Sequence, residues 1–232
     1  MSETVSISTL EHDGSFPAYC ARPVGEPRAA IVVIQEIFGV NAGIRRKCDR
    51  LAADGYLALA PDLFWRLEPN VELDPDVEPE FKQALGLMGR FDQDQGVADI
   101  EATIRHARNA LGTPSVGVVG YCLGGRLAYM VATRTDADAS VGYYAVGLPD
   151  LLREKHAIAR PLMLHLAGAD HFVPPEAQAA IHAGLDDHPK VTLHDYPGED
   201  HGFATEIGTR RSEEAAELAD SRTTAFFAEH LG

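Results

Sequence analysis

The fold is decided by Val118-Val119-Gly120-Tyr121-Cys122-Leu123-Gly124-Gly125, in which an apolar, β-rich run stops at a cysteine and passes directly into a helical pattern. This arrangement is typical of a nucleophile elbow, the strained strand-to-helix turn of the G-x-S-x-G motif. Gly120 and Gly124 take the flanking positions, where a Cβ atom would clash, and Cys122 stands where serine is usual. Because a helix N-terminus favours a thiolate, the pattern predicts Cys122 as a nucleophile.

Two later segments supply the acid and the base that such a nucleophile needs. In α/β-hydrolases the nucleophile is followed along the chain by an acid and then by a histidine, each on a loop after a later strand. The apolar strand Leu162–Ala167 leads into a turn that presents Asp170, and the alternating strand Val191–Tyr196 leads into a loop that presents His201. A free cysteine is more often an inert buried hydrophobe, but this order of acid and histidine favours catalysis.

Other acids and histidines lie near these segments. Asp195 and Asp200 are alternatives for the acid, but Asp200 adjoins His201 and would point differently along an extended backbone. His171 is interpreted as structural, and His165, inside an apolar strand, as a hydrogen-bonded core residue. We therefore prefer Asp170 as the acid.

Strands and helices alternate along the chain, which predicts a single α/β domain over residues 1–232. Its central sheet should be mostly parallel and flanked by helices on both faces. Ala29–Ile34 and Tyr56–Ala60 are apolar runs of the kind buried in parallel strands, and Asn41 can cap the helix between them. Further helices are predicted from about residue 92 to 110 and from 212 to 230, and the first 22 residues resemble an edge hairpin.

An excursion at about residues 68–90 interrupts this alternation. It is rich in proline and acidic residues up to Pro79 and then weakly helical through Phe81, Leu85 and Met88. Ligands in open α/β sheets bind beyond the carboxyl ends of the strands, so the excursion is a candidate substrate wall. A surface insertion without a role is an equal alternative.

Composition excludes several classes of function. A net charge of −15 argues against nucleic acid as a partner, because phosphate binding requires clustered lysine and arginine. No apolar run is long enough to cross a bilayer, and the N-terminal residues lack a signal-peptide pattern. The three cysteines, Cys20, Cys48 and Cys122, show neither disulfide nor metal-ligand spacing. We expect a cytoplasmic monomer without a metal or another cofactor, acting on a small molecule.

Five segments together resemble the dienelactone hydrolase family of the α/β-hydrolase fold. In chain order they are Gln35–Asn41, Ala60–Leu63, Gly120–Gly125, Gly142–Tyr144 and Asp170–Pro174. The resemblance covers nearly the whole chain, and it places Cys122, Asp170 and His201 on the family's triad. It implies a hydrolase of carboxylic esters or lactones that works through a thioester intermediate.

The resemblance also implies roles for residues around the triad. The backbone N–H of Leu123 follows the nucleophile and is one expected oxyanion donor, and that of Ile37 is the matching second donor. The family's glutamate at the position of Glu36 contacts the resting thiol and takes part in its activation, a role that we assign to Glu36. The residues expected to bind substrate are Phe38, Phe81, Leu85, Met88, Tyr144 and Phe203.

Two arginines that hold the substrate carboxylate in this family are missing. Phe81 and Thr205 take their positions, and neither side chain replaces a bidentate, charge-assisted contact. The sequence therefore predicts a preference for uncharged esters or lactones. Another cation near these positions could reach in instead, although each is more typical of a solvated surface charge; they are Lys82, Arg90, Arg210 and Arg211.

Two functions of other classes stay open beside hydrolysis. The chain can be a redox-responsive or electrophile-sensing thiol protein on a hydrolase fold, although the intact acid and histidine disfavour this. It can also be an interaction module without turnover, for which the loss of a triad member is expected.

Overall fold

One eight-stranded sheet forms the centre of the molecule. The computed structural model describes residues 2–232. Its strands are β1 (Ser2–Ser8), β2 (Ser15–Ala21), β3 (Ala30–Ile34), β4 (Leu57–Pro61), β5 (Val116–Tyr121), β6 (Ala139–Tyr143), β7 (Leu162–Ala167) and β8 (Val191–Tyr196). They lie in the order β1-β2-β4-β3-β5-β6-β7-β8. The first two strands form an antiparallel hairpin at one edge, and β3 to β8 are parallel.

Helices cover both faces of this sheet. They are α1 (Ala42–Ala53), α2 (Glu78–Arg90), α3 (Gln93–Ala110), α4 (Leu123–Arg134), the 3₁₀ helix Leu148–Ala157, α5 (Pro175–Leu185) and α6 (Glu213–Leu231). Alternate side chains of β3 point to opposite faces, which separates the core into two layers. Ile31 and Val33 pack with residues of α1 and α6, whereas Val32 and Ile34 pack with residues of α2, α3, α4 and α5.

The predicted architecture is confirmed. A single α/β domain with a mostly parallel sheet and helices on both faces is what the alternation of strands and helices indicated. Asn41 caps α1 as expected, because its side-chain oxygen accepts hydrogen bonds from the N–H groups of Gly43 at 3.1 Å and Ile44 at 3.2 Å. None of the helices in residues 2–232 combines the length and the apolar character that a membrane span requires.

The parallel strands carry the chemically interesting residues to one edge of the sheet. Glu36 follows β3, Cys122 follows β5, Tyr144 follows β6, Asp170 follows β7 and His201 follows β8. Because these strands are parallel and adjacent in the sheet, the loops that follow them meet at their carboxyl ends. Residues that are more than 160 positions apart in the sequence are thereby brought to one place.

A histidine is buried in the sheet as part of a polar network. His165 is 0% exposed, and its Nδ1 and Nε2 atoms pair with the Tyr196 hydroxyl at 2.8 Å and the Thr223 hydroxyl at 3.0 Å. This is the hydrogen-bonded core residue expected from the sequence. Burial, followed by the charges of His194, Arg222 and Lys47, lowers the pKa of His165 well below its usual value, so the ring stays neutral in the fold.

We predict that this neutral ring makes the protein sensitive to acid. The unfolded chain takes up a proton at His165 below about pH 6.5, while the folded chain does not. The contribution of His165 to the free energy of unfolding is therefore fully present above that pH. As the pH falls, this free energy decreases by about 1.4 kcal/mol for each pH unit. Urea unfolding at pH 7.5 and pH 5 should show a smaller loss for His165→Gln than for the unmodified protein.

The exposed His12 provides the matched control, and His12→Gln should keep the full loss of stability between these pH values. An equal loss in His165→Gln and the unmodified protein would contradict the prediction.

Candidate active site

The turn between β5 and α4 holds Cys122 in a strained conformation. The residue has φ of 56° and ψ of −113°, a backbone conformation that residues with a Cβ atom rarely adopt. A Cβ atom on Gly120 would lie 1.9 Å from the carbonyl oxygen of Gly124, and one on Gly124 would lie 2.4 Å from the carbonyl oxygen of Ile34. Only glycine fits at both positions. The backbone therefore passes close beneath the cysteine and leaves its partly exposed side chain at the start of α4.

Asp170 and His201 form a buried pair beside this turn. The Nδ1 atom of His201 donates to Oδ2 of Asp170 at 2.8 Å, and the two side chains are 3% and 1% exposed. The other carboxylate oxygen of Asp170 accepts from the backbone N–H of Phe172 at 2.9 Å. The two alternative acids, Asp195 and Asp200, contact His182 and His171 respectively, so Asp170 is the carboxylate that orients His201.

The free nitrogen of His201 faces Cys122. Its Nε2 atom is buried and makes no regular hydrogen bond within residues 2–232. Burial lowers the pKa of His201, but the hydrogen bond that the ring donates to Asp170 and the interaction with Cys122 outweigh it and raise the pKa to about 10. A protonated His201 ring beside the Cys122 side chain is thus favoured. The arrangement can deliver a thiol nucleophile whose proton is held by histidine.

Two unpaired backbone donors lie at the same place. Ile37 follows β3 and Leu123 is the first residue of α4; both side chains are buried. Within the described part of the chain, neither backbone N–H donates to a protein acceptor. Two such donors beside a nucleophile can stabilise the oxyanion of a tetrahedral intermediate. The structure therefore brings together both positions that the sequence suggested for this role.

Glu36 lies among several charged and polar groups. The burial of this carboxyl raises its pKa, against the opposing influence of His201, the Tyr144 hydroxyl, Arg210 and Lys47. Within residues 2–232 no hydrogen bond joins the Glu36 side chain to Cys122, although both residues line the same cavity. The contact with the thiol that the resemblance implies is thus not made by a hydrogen bond in this structure.

This cavity has a volume of about 190 Å³ and opens above Cys122 and His201. Its walls are mostly apolar, and Leu85, Met88 and Phe172 are largely exposed around it. The residues that line it are Glu36, Ile37, Phe38, Phe81, Leu85, Met88, Cys122, Val146, Phe172, His201 and Arg210. The predicted substrate wall on α2 therefore lines the cavity, and so does Phe38. The rings of Phe38 and Phe81 lie 5.8 Å apart.

Two residues expected to bind substrate lie elsewhere. Tyr144 and Phe203 are each 1% exposed and do not line this cavity. The Tyr144 ring packs edge-on against His201 at 5.0 Å and against Phe203 at 5.5 Å. Phe203 in turn packs on Tyr196 at 4.8 Å. Both side chains thus support His201 from within the protein.

Arg210, interpreted from the sequence as more typical of a surface charge, lines the cavity, and so do Val146 and Phe172, which the sequence interpretation missed. Its guanidinium lies 5.5 Å from the centre of the Phe81 ring and makes neither an ion pair nor a hydrogen bond within residues 2–232. The other three cations considered, Lys82, Arg90 and Arg211, bind neighbouring groups and do not line the cavity. The only sequence signal for Arg210 was its position in the loop after His201.

One cluster has the composition of a metal site. Ligand atoms of Asp170, His171 and Asp200 lie within 4.8 Å of one another. However, Asp170 accepts the hydrogen bond of His201, and Asp200 accepts those of His171. The hydrogen bonds of the acid and histidine loops account for this cluster.

Comparison with known proteins gives a consistent result. The family model for the dienelactone hydrolase family matches residues 16–231. A carboxymethylenebutenolidase-type protein of Azospirillum brasilense is 47% identical over 221 residues, covering 95% of this chain and 96% of the relative. The carboxymethylenebutenolidase of Pseudomonas putida is 40% identical over 227 residues, covering 97% and 96%. A dienelactone hydrolase-type crystal structure from Klebsiella pneumoniae has a TM-score of 0.85 at 28% identity, covering 99% and 98%.

The elbow geometry predicts that Gly124→Ala disrupts the site. The new Cβ would lie 2.4 Å and 2.6 Å from the carbonyl oxygens of Ile34 and Gln35, which are backbone atoms of a central strand end. We expect the free energy of unfolding to fall by about 3 kcal/mol or more. Thermal unfolding and urea titration measure this loss.

Gly86→Ala is the matched control, because a Cβ at this exposed position of α2 meets nothing within 4 Å. It should leave the fold intact and stabilise it by about 0.5 to 1 kcal/mol. Equal stabilities of the two variants would show that the close approach at Gly124 is not required.

Proposed function

This chain belongs to the dienelactone hydrolase family, and from that premise we propose that it hydrolyses carboxylic esters or lactones with a triad of Cys122, His201 and Asp170. One observation carries the proposal. A partly exposed thiol on a strained turn faces a histidine whose other nitrogen is bound, at 2.8 Å, to a buried carboxylate. Two unpaired backbone N–H groups lie at the same edge of the sheet. This is the set of groups that acyl transfer needs.

In the first half of the reaction the Cys122 thiolate attacks the carbonyl carbon of the substrate. The C–S bond forms while the electron pair of the C=O bond moves onto oxygen, where the N–H groups of Ile37 and Leu123 can donate to it. When the intermediate collapses, the C–O bond to the alcohol breaks. The imidazolium of His201 then gives its proton to the departing alkoxide, leaving a thioester.

Water completes the cycle. Neutral His201 removes a proton from a water molecule, which attacks the thioester carbonyl and releases the acid product as the C–S bond breaks. Asp170 keeps the Nδ1–H of His201 oriented throughout and stabilises the positive ring. The completed cycle returns the Cys122 thiolate and the protonated His201 ring, whose protonation the raised pKa of that ring favours.

Glu36 has to be neutral for this mechanism to run well. An ionised carboxylate close to the oxyanion donors would oppose the negative charge that forms there. Burial raises the pKa of Glu36, which reduces this opposition. While it is ionised in the resting enzyme, the Glu36 carboxyl would restrain the thiol, which is the role that the family resemblance implies and that we assign to Glu36.

The cavity suggests a substrate with an apolar body and one anionic group. Its walls are formed mainly by aromatic and aliphatic side chains, and the unpaired guanidinium of Arg210 is the cation among its lining residues besides His201. Thr205 cannot reach a substrate, because it is 8% exposed and its hydroxyl donates to the Ile207 carbonyl. Arg210 can therefore take the place of the missing family arginines, which revises the preference for uncharged substrates expected from the sequence.

We further propose that the protein works as a monomer in the cytoplasm, without a cofactor. A reducing compartment keeps the cysteine in its active thiol form.

Cys122→Ala tests the nucleophile. The variant should stay folded and its turnover of a short-chain p-nitrophenyl ester should fall to about a thousandth or less, as expected when a triad member is removed. Cys20→Ala and Cys48→Ala are the controls and should keep their turnover, since both thiols are buried away from the cavity. Substantial residual activity in Cys122→Ala would contradict the assignment.

A burst of p-nitrophenol distinguishes the hydrolase from a thiol sensor. The unmodified protein should release one equivalent rapidly and then turn over steadily. A single equivalent without further turnover would favour the electrophile-sensing alternative.

Arg210→Gln tests the substrate class. We expect kcat/KM for an anionic dienelactone to fall by about tenfold or more, the value of a charge-assisted contact, with little change for an uncharged ester of similar size. Arg90→Gln serves as the control, because Arg90 is an exposed residue of α2 outside the cavity. Equal losses for the two substrates would remove Arg210 from substrate recognition.

A further inference from the structure

A second carboxylate joins the two loops that carry the acid and the base. These are the acid loop, residues 168–174, and the histidine loop, residues 197–203. Oδ1 of Asp200 accepts from the backbone N–H of His201 at 2.6 Å, from the backbone N–H of His171 at 3.1 Å and from Nδ1 of the His171 ring at 2.7 Å. Asp200 directly precedes the base and His171 directly follows the acid, so one oxygen atom holds the neighbours of both residues.

Other hydrogen bonds join the backbones of the two loops near the ends of their strands. Two backbone hydrogen bonds, of 2.9 Å and 2.8 Å, connect residues 168–169 to residues 196–199. Beyond these positions, the hydrogen bonds that cross between the loops within residues 2–232 are the bond of the acid with the base and those of Asp200 with His171. The contact of Asp200 therefore fixes the alignment of the loops where the catalytic side chains leave them.

The acid loop also forms part of the substrate cavity. The backbone N–H of Phe172 donates to Asp170 at 2.9 Å, and the Phe172 ring lies edge-on to the His201 ring with 4.8 Å between their centres. Phe172 and His201 both line the cavity. A shift of one loop against the other would therefore disturb the bond between Asp170 and His201. Misplacement of a catalytic group by about 1 Å can cost about a hundredfold in rate.

Asp200 is an ionised acceptor. Burial raises its pKa, but the hydrogen bonds from the His171 ring and from the backbone N–H groups of His201 and His171 outweigh burial and lower the pKa of Asp200 to about 2. Hydrogen bonds to an ionised acceptor are strong, which allows one carboxylate to hold several donors. The side chains of Asp200 and His171 are 58% and 53% exposed, so their contact contributes little to the free energy of unfolding. We expect its effect on activity and not on stability.

We propose that Asp200 is a positioning residue that keeps His201 aligned with Asp170 by binding the backbone next to each of them. The inference rests on the proposed function, since His201 is the base of that reaction. Asp200 does not line the substrate cavity, so it acts only through the two loops. The carboxylate that the sequence offered as an alternative acid thereby receives a different role, the alignment of the acid with the base.

Asp200→Ala removes the acceptor of all three hydrogen bonds. We expect kcat for a short-chain p-nitrophenyl ester to fall by about tenfold or more, because the acid and the base are then free to move apart. KM should change less, since Asp200 does not contact the cavity. The midpoint of urea unfolding should stay close to that of the unmodified protein, because the contact is exposed.

The hydrogen bond between His201 and Asp170 provides a spectroscopic test of the alignment. Its Nδ1–H proton gives a far-downfield signal in ¹H NMR, which is assigned by its loss in Asp170→Asn. In Asp200→Ala this signal should broaden through faster exchange with water. An unchanged signal would refute the positioning role, even if kcat falls, and an unchanged kcat would refute it as well.

Asp195→Ala is the matched control. Asp195 is also a half-exposed carboxylate that accepts from a histidine, Nε2 of His182 at 3.1 Å, and it lies in the strand that leads to the histidine loop. It makes no hydrogen bond to the acid loop within residues 2–232. Its replacement removes the same charge and should leave kcat and the NMR signal unchanged. Equal losses in Asp195→Ala and Asp200→Ala would overturn the proposal.

Asp200→Asn separates the hydrogen bonds from the charge. The amide keeps an acceptor oxygen at the same reach, so this variant should recover most of the kcat and of the NMR signal. An Asp200→Asn protein as impaired as Asp200→Ala would refute positioning through the backbone N–H groups. A broadened signal in Asp200→Ala, together with no ester turnover in the unmodified protein, would leave the alignment standing and refute the proposed function instead.

Discussion

The close approach of Gly124 to the carbonyl oxygen of Ile34 is the contact on which the site depends. It lets the first turn of α4 pack directly on the end of β3, which no residue with a Cβ would allow. As a result, the unpaired N–H of Leu123 on α4 and that of Ile37 after β3 lie at one place. The same packing holds Cys122 in its strained conformation above them. Nucleophile position and oxyanion donors are thus consequences of one steric constraint.

Burial then decides the charges around this turn. His201 and Asp170 are both almost inaccessible, so their hydrogen bond stabilises the positive ring more than it would in water. The same exclusion of water raises the pKa of Glu36, and the charges of His201, Arg210 and Lys47 oppose this rise. Arg210 shares the substrate cavity with Glu36, and Lys47 is held by Glu206 and Asp220. The reactivity of Cys122 therefore depends on several charged groups around it, each of which costs free energy to bury.

Prediction from the sequence succeeded where a local pattern leads to one geometric outcome. Apolar runs and caps marked the strands and helices, and parallel strands must bring the residues after their ends to one edge. For this reason Cys122, Asp170 and His201 could be expected to lie at one edge of the sheet, where the structure brings them together. Prediction failed where packing selects among side chains. Tyr144 and Phe203 follow the right strands but turn inward against His201, whereas Arg210, which resembles any surface arginine in the sequence, folds over Phe81.

The sequence by itself therefore determined the fold class, the elbow and the order of nucleophile, acid and histidine, because each of these depends on neighbours along the chain. Only the tertiary structure decided which cation enters the cavity, which aromatic residues line it and that Glu36 lines it together with Cys122 and Arg210. These features depend on the distances between loops that are joined by the sheet and not by the chain. Spacing along the sequence carries no information about such distances until the strands have been paired.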